Sequence, residues 1–289
     1  MSKINIGIIG FGFVGSSVAY GFSPQTGFDE ADLRIFDKDA SKSTHTMAEV
    51  LDNSDFIFLS VPTPSNMDGS INVSILESVI QDISKHGTKD GCIVLVRSTI
   101  VPGTTQMFQE KYKNVTLVFN PEFLTERSAK FDFINQARFI LGGHKTDTSK
   151  VAKLFRHRFG NATPVIETDF ETAEFIKYMN NCYFATKVSF MNEMKMIAER
   201  SNVDWDTAVD GFIRDGRIGH SHLAVPGPDG KRGFGGSCFP KDLQALIKYS
   251  ESVGIDTCVL KGAWETNLNV RPERDWEKLL GRAVIKEAS

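Results

Sequence analysis

The chain is poor in cysteine, nearly balanced in charge and free of long apolar runs. Its four cysteines, Cys92, Cys182, Cys238 and Cys258, form no CxxC pair and no dense framework. That pattern excludes a disulfide scaffold and fits a reducing cytoplasm. The net charge of −3, from 33 basic and 36 acidic residues, gives no basic surface for nucleic acid or for a membrane. The apolar run Ile6 to Ile9 is far too short to span a bilayer. No basic-then-apolar leader pattern opens the sequence. Repeats and low-complexity segments are absent as well. What remains is an ordinary globular composition, 41% hydrophobic and 24% charged over 289 residues. Such a length holds one large or two modest cores.

One stretch stands out, Gly233-Phe234-Gly235-Gly236-Ser237-Cys238-Phe239-Pro240-Lys241-Asp242. Glycines let a backbone turn tightly and approach a ligand. Pro240 is a natural first helical residue, and Leu243 to Ile247 carry helical apolar spacing. Cys238 is therefore expected just before a helix N-terminus. The helix end and Lys241 both favour a thiolate, the nucleophilic form of cysteine. Asp242 follows about one helical turn later. A buried cysteine in a glycine turn is the simpler alternative.

The first half alternates strands and helices. Lys3 to Ile9 reads as a buried parallel strand. It runs into Gly10-Phe11-Gly12-Phe13-Val14-Gly15 and then a helical pattern. That is the context in which GxGxxG binds a dinucleotide. Gly10 makes the turn, Gly12 admits the diphosphate, and Gly15 lets helix and strand pack. Asp37 ends the second strand, 22 residues past Gly15, where a ribose-binding acid belongs. Its charge would repel a 2′-phosphate, so NAD is expected rather than NADP. Helices are expected at Thr46–Leu51, Val73–Ile83 (capped by Asn72), Thr104–Lys111 and Thr148–Phe159. Strands are expected at Phe56–Val61, Cys92–Val96, Val115–Phe119 and Phe139–Leu141, with one more near Val165. The alternation implies a Rossmann-type, doubly wound parallel sheet over residues 1–168. Thr63, Thr99, Glu122 and Glu126 all fall beyond strand carboxyl ends, where such sheets bind ligands.

Residues 169–289 read as a helical domain. Phe170 to Arg200 is one helical pattern without Pro or Gly. At 1.5 Å per residue it spans roughly 45 Å, a length suited to a backbone helix between domains or subunits, its apolar residues forming core or dimer seam. Lys177 and Asn181 share a face and could hold an oxyanion together. Alternatively, Lys177 pairs with Glu174 on a solvated face. Asp204 caps a helix to about Ile213, and a last helix covers Val259 to about Asn267. His220 and His222 have no further spaced ligands, so no metal is expected.

Together these blocks resemble the UDP-glucose/GDP-mannose dehydrogenase family, nearest to its UDP-glucose-oxidising members. The likeness rests on Gly10 to Gly15, Arg97-Ser98-Thr99, Asn120-Pro121-Glu122-Phe123-Leu124, the Lys177/Asn181 pair, Arg217-Ile218-Gly219, and Gly233 to Asp242. It implies oxidation of a sugar CH2OH to a carboxylate with two NAD+, through a covalent adduct on Cys238. In that scheme Lys177 and Asn181 hold the oxyanion, and Asp242 assists with water or a proton. Glu122 is the acid/base residue for thioester hydrolysis, and Thr99 helps to order water. Gly10, Gly12, Phe13, Val14, Gly15, Asp37, Thr63, Thr99, Glu126 and Lys241 contact NAD. Glu122, Phe123, Leu124, Lys177, Asn181, Arg217 and Gly235 contact the UDP-sugar, with Arg217 reaching a neighbouring subunit of a homodimer or larger homo-oligomer.

Two features depart from the family. About 47 of the 289 residues follow Asp242, too few for the usual third domain. Pro226 to Arg232 also lengthens the loop between Arg217 and Cys238. GDP-mannose or a UDP-N-acetylhexosamine is the alternative substrate. Outside that chemistry stand a two-electron β-hydroxyacid dehydrogenase, which has no need of Cys238, and a non-catalytic NAD-binding remnant.

Overall fold

The computed structural model describes residues 3–285. The chain forms two compact units, one of residues up to Thr63 with Val73–Lys177, the other of Pro64–Asn72 with Tyr178 onward.

The first unit follows the alternation in the sequence. Its elements are β1 (Ile4–Ile9), α1 (Phe13–Gly21), β2 (Ala31–Phe36), α2 (Met47–Asn53), β3 (Phe56–Leu59), α3 (Ser74–His86), β4 (Ile93–Val96), α4 (Thr104–Lys111), β5 (Leu117–Phe119), α5 (Ala129–Ile134), β6 (Phe139–Gly142), α6 (Lys145–Phe159) and β7 (Val165–Thr168). The helix α7 (Phe170–Arg200) then begins in this unit and continues in the second.

The strands form one seven-stranded sheet in the order β2-β1-β3-β4-β5-β6-β7. Side chains on a strand alternate between faces, and both faces here are apolar. Ile6, Ile8, Phe58, Leu95, Val118 and Leu141 enter one core cluster. Ile57, Leu59, Val94, Val96, Leu117, Phe119 and Ile140 enter the other. Burying each such side chain is worth about 1.5–3 kcal/mol. The strand order reverses beside β1, which places the ligand crevice of a doubly wound sheet at its carboxyl end.

The sequence expectation needs four corrections in this unit. β5 and β6 pair antiparallel, so β6 and β7 run against the other five strands. The helix α5 was not expected. α3 starts at Ser74 with Val73 as its cap residue and no side-chain cap, while the Asn72 amide donates to Asn66. Thr46 lies outside α2 as its cap, in a capping box with Glu49. That exchange satisfies two helix-end groups that would otherwise lack partners.

Glu174, on the second turn of α7, is fully buried. Its carboxylate accepts from the Gly103 amide at 2.6 Å and from the Thr105 amide and hydroxyl at 2.8 and 2.6 Å. These are the first groups of α4, so Glu174 caps that helix from a distance. Burial pushes its carboxyl up to about 7, against the pull of those three donors. The bonds fix the rotation of α7 and so aim Lys177, one turn further on.

The second unit holds most of α7, then α8 (Trp205–Ile213), α9 (Cys238–Ser252) and α10 (Cys258–Val270). Asp204 caps α8 as expected, accepting from the Thr207 amide. The segment after α10 returns to residues 64–72, where Ser65 and Val284 form a parallel bridge. No helix of the described residues is long and apolar enough to cross a membrane.

Candidate active site

The glycines of the β1–α1 turn stand in different surroundings. Gly10 has φ of +90°, and a Cβ there would strike the Ser60 carbonyl. A Cβ on Gly15 would strike the Gly10 carbonyl. Gly12, the exposed cap residue of α1, has no atom within 4 Å of where its Cβ would stand. The fold requires the first and third glycines, and the second leaves open space at a helix N-terminus. A diphosphate fits such a place. Asp37 borders it: one carboxylate oxygen accepts from the Phe11 amide at 2.6 Å, the other from the Asp39 amide at 2.9 Å. These residues fit a dinucleotide.

Further along the same sheet edge, Thr63 donates to the Thr99 carbonyl at 2.8 Å, and Ser98 donates to the Val61 carbonyl at 2.6 Å. The two loops are thereby tied together. Arg97 is buried behind them, bonded to the Asn120 side chain and facing the Phe58 and Phe133 rings at 6.0 and 5.6 Å. Burial lowers its guanidinium to about 10, and nearby Glu122 opposes the shift.

Glu122 and Lys177 are both buried and form an ion pair at 3.1 Å. The ammonium also donates to the Glu122 carbonyl and lies 5.4 Å from the Phe123 ring. The second Glu122 carboxylate oxygen accepts from the Leu124 amide at 2.8 Å. A solvated Lys177–Glu174 pair is therefore wrong: both side chains are buried, with different partners. Removing one member of such a pair costs about 3–5 kcal/mol, because the other charge stays buried. Glu126 is exposed, in the short 3-10 turn Glu126–Ser128.

In the second unit, Cys238 is the first residue of α9 rather than the residue before it. The helix starts two residues ahead of Pro240, with Ser237 as its cap residue. The thiol is half-buried, with the Ser237 hydroxyl 3.8 Å away. Asp242, one turn on, is buried and bonded at both oxygens. The Lys241 ammonium approaches one at 2.5 Å and the Asn181 amide the other at 2.6 Å. Buried charge is thus neutralised locally, as it must be. Arg217 takes part in none of these bonds. Its exposed guanidinium pairs with Asp215 at 2.5 Å and lines a cavity of about 290 Å³ with Tyr183 and Phe212.

Sequence reasoning missed the residues that hold the thiol loop. The Asn267 side chain of α10 accepts from the Phe234 amide at 2.7 Å and donates to its carbonyl at 3.0 Å. Asn192 of α7 accepts from the Gly233 amide at 3.1 Å. The available signal was an amide at the spacing of the buried face, as with Asn181.

Residues 29–159 match the NAD binding domain of the UDP-glucose/GDP-mannose dehydrogenase family, and residues 171–269 match its central domain. The chain belongs to that family. The matched regions contain Asp37, Thr63, Thr99, Glu122, Lys177, Asn181, Cys238 and Asp242, while the glycine turn lies ahead of the first. The chain is 33% identical to UDP-glucose 6-dehydrogenase of Rickettsia bellii over 248 residues, 84% of this chain and 56% of that one. It is 30% identical to UDP-glucose 6-dehydrogenase of Rickettsia typhi over 300 residues, 93% of this chain and 68% of that one. A solved UDP-glucose dehydrogenase from Pyrobaculum islandicum superposes with a TM-score of 0.79 at 26% identity, covering 92% of this chain and 68% of that one. The chain therefore spans roughly half to two thirds of the length of these relatives.

Gly12→Ala separates folding from cofactor binding. The methyl group enters open space at an ordinary φ of −80°, so the melting temperature should hold. NAD affinity should fall by about tenfold or more, or 1.4 kcal/mol. Calorimetric titration showing unchanged affinity would remove the turn as the diphosphate site.

Proposed function

We propose that the chain oxidises the sugar CH2OH of UDP-glucose to a carboxylate, with NAD+ as acceptor. The observation that carries this reading is the start of α9. Cys238 is its first residue, and the buried Asp242 follows one turn later, held by Asn181 and Lys241. A two-electron dehydrogenase has no use for that thiol. In a four-electron oxidation it has a definite role, because an aldehyde must become tetrahedral before it can lose a hydride.

The chemistry follows from the residue types. Gly10 to Gly15 and Asp37 would hold NAD+, and two successive NAD+ would each take one hydride, the first leaving as NADH before the second oxidation. The alcohol loses a hydride and a proton and becomes an aldehyde. The Cys238 sulfur adds to the aldehyde carbon and forms the S–C bond of a thiohemiacetal, and the former carbonyl oxygen takes up negative charge. Lys177 stabilises that oxygen with its ammonium. The Asn181 amide donates one hydrogen to Asp242 and in this reading gives its second to the same oxygen. A second hydride loss leaves a thioester. Water then attacks, the C–S bond breaks, and the carboxylate and thiol are released. Glu122, paired with Lys177, accepts the proton of that water, with Thr99 ordering it. Losing one oxyanion donor typically costs on the order of 10²–10³ in rate.

Thr63, Glu126 and Lys241 complete the cofactor contacts in this reading, and Phe123, Leu124, Gly235 and Arg217 the sugar-nucleotide contacts. A nucleophilic thiol also favours the reducing cytoplasm. The active species is a dimer or larger oligomer built on α7. Met179, Tyr183, Phe190 and Ile197 recur on that helix and are each 46–62% exposed. A stripe of this kind marks an interaction surface.

Cys238→Ser should bind NAD normally but yield no acid, which product analysis by mass spectrometry will read. Full-rate acid formation by the variant would exclude the covalent route. Sedimentation should give a dimer or larger, and a fully active monomer would contradict the α7 seam.

A further inference from the structure

The turn that delivers Cys238 rests on a buried arginine outside the family's matched region. Arg271 follows α10, and its side chain is only 3% exposed. The guanidinium forms a two-point pair with Asp275, Nε to Oδ1 at 2.9 Å and Nη2 to Oδ2 at 2.7 Å. It also reaches Asp229 at 2.7 Å and the Arg232 carbonyl at 3.3 Å. Asp229 and Arg232 belong to the lengthened loop before the thiol. Lys231, between them, pairs with Glu273 at 3.2 Å and Asp275 at 3.4 Å. The guanidinium lies directly beneath Gly235, whose Cβ, if present, would collide with Nη2. Asp275 stands 2.8 Å from the same point.

We propose that Arg271 is the positioning residue for the nucleophile loop. Its planar fork fixes how deeply the Gly235 backbone sits, and so where Cys238 enters α9. The inference rests on the reading of Cys238 as nucleophile. Charge does not explain the arrangement. Two cations, Arg271 and Lys231, with three carboxylates, Asp229, Glu273 and Asp275, carry a net charge of −1, which would disfavour a thiolate nearby. Shape is what the cluster supplies. Only a guanidinium offers a rigid planar fork, so lysine cannot replace it. The added loop residues supply Asp229 and thereby lock the fork from the far side.

The test is the alkylation rate of each cysteine by iodoacetamide, followed by peptide mass spectrometry. It needs no turnover, so it separates this proposal from the substrate reading. In Arg271→Lys the Cys238 rate should change by about threefold or more, because thiol reactivity follows its local setting. Exposed Cys258 should react as before, and buried Cys92 and Cys182 should stay protected. Exposure of those two would report unfolding, and Asp229→Asn, which keeps the arginine in place, then decides. Guanidinium ion added to Arg271→Ala should restore the parent Cys238 rate, which a merely structural loss would not allow. Cys238 rates within twofold of the parent in Arg271→Lys and Asp229→Asn alike would overturn the proposal.

Discussion

A buried polar group must find a partner, and on α7 that requirement organises the structure. An unsatisfied buried donor or acceptor costs about 1–3 kcal/mol, and a charged one more. Glu174, Lys177, Asn181, Ser189 and Asn192 lie on the buried face of this one helix. Their partners are the start of α4, the Glu122 loop, Asp242, the Ala263 carbonyl and the Gly233 amide. Apart from the Ser189 bond, which ties α7 to the middle of α10, each fixes a loop or helix end that bears on the proposed chemistry. Apolar residues at the same positions would pack, but they would leave those loops without a fixed register.

Much of this was legible in the sequence. The sheet showed itself because apolar β-branched runs alternated with helical spacing. The bounds of α7 were readable because no Pro or Gly interrupts Phe170 to Arg200. The glycine turn and Asp37 were legible because backbone geometry leaves few residue choices there. The reversed direction of β6 was not, since strand direction is set by packing and not by local pattern. The helix α5 was hidden by its six-residue length. Cys238 was placed ahead of its helix because Pro240 was taken as the first helical residue, whereas α9 starts two residues earlier.

The supporting residues were harder to read. Asn192, Asn267 and Arg271 look like solvent-facing polar residues in isolation. Their roles depend on bonds 33 to 42 residues distant in sequence. Lys177 shows the same effect, because Glu174 was the obvious partner by helical spacing and Glu122 is the real one. Burial decides between such alternatives, and burial is a property of the whole fold.

The central claim is a double oxidation at one carbon, and its most direct test is stoichiometry. UDP-glucose, NAD+ and the purified chain are combined, and NADH formed is counted against sugar nucleotide consumed. The account predicts two NADH per sugar nucleotide, with UDP-glucuronate as product. A ratio of one, with the reaction stopping at the aldehyde, would contradict it and leave Cys238 without its role.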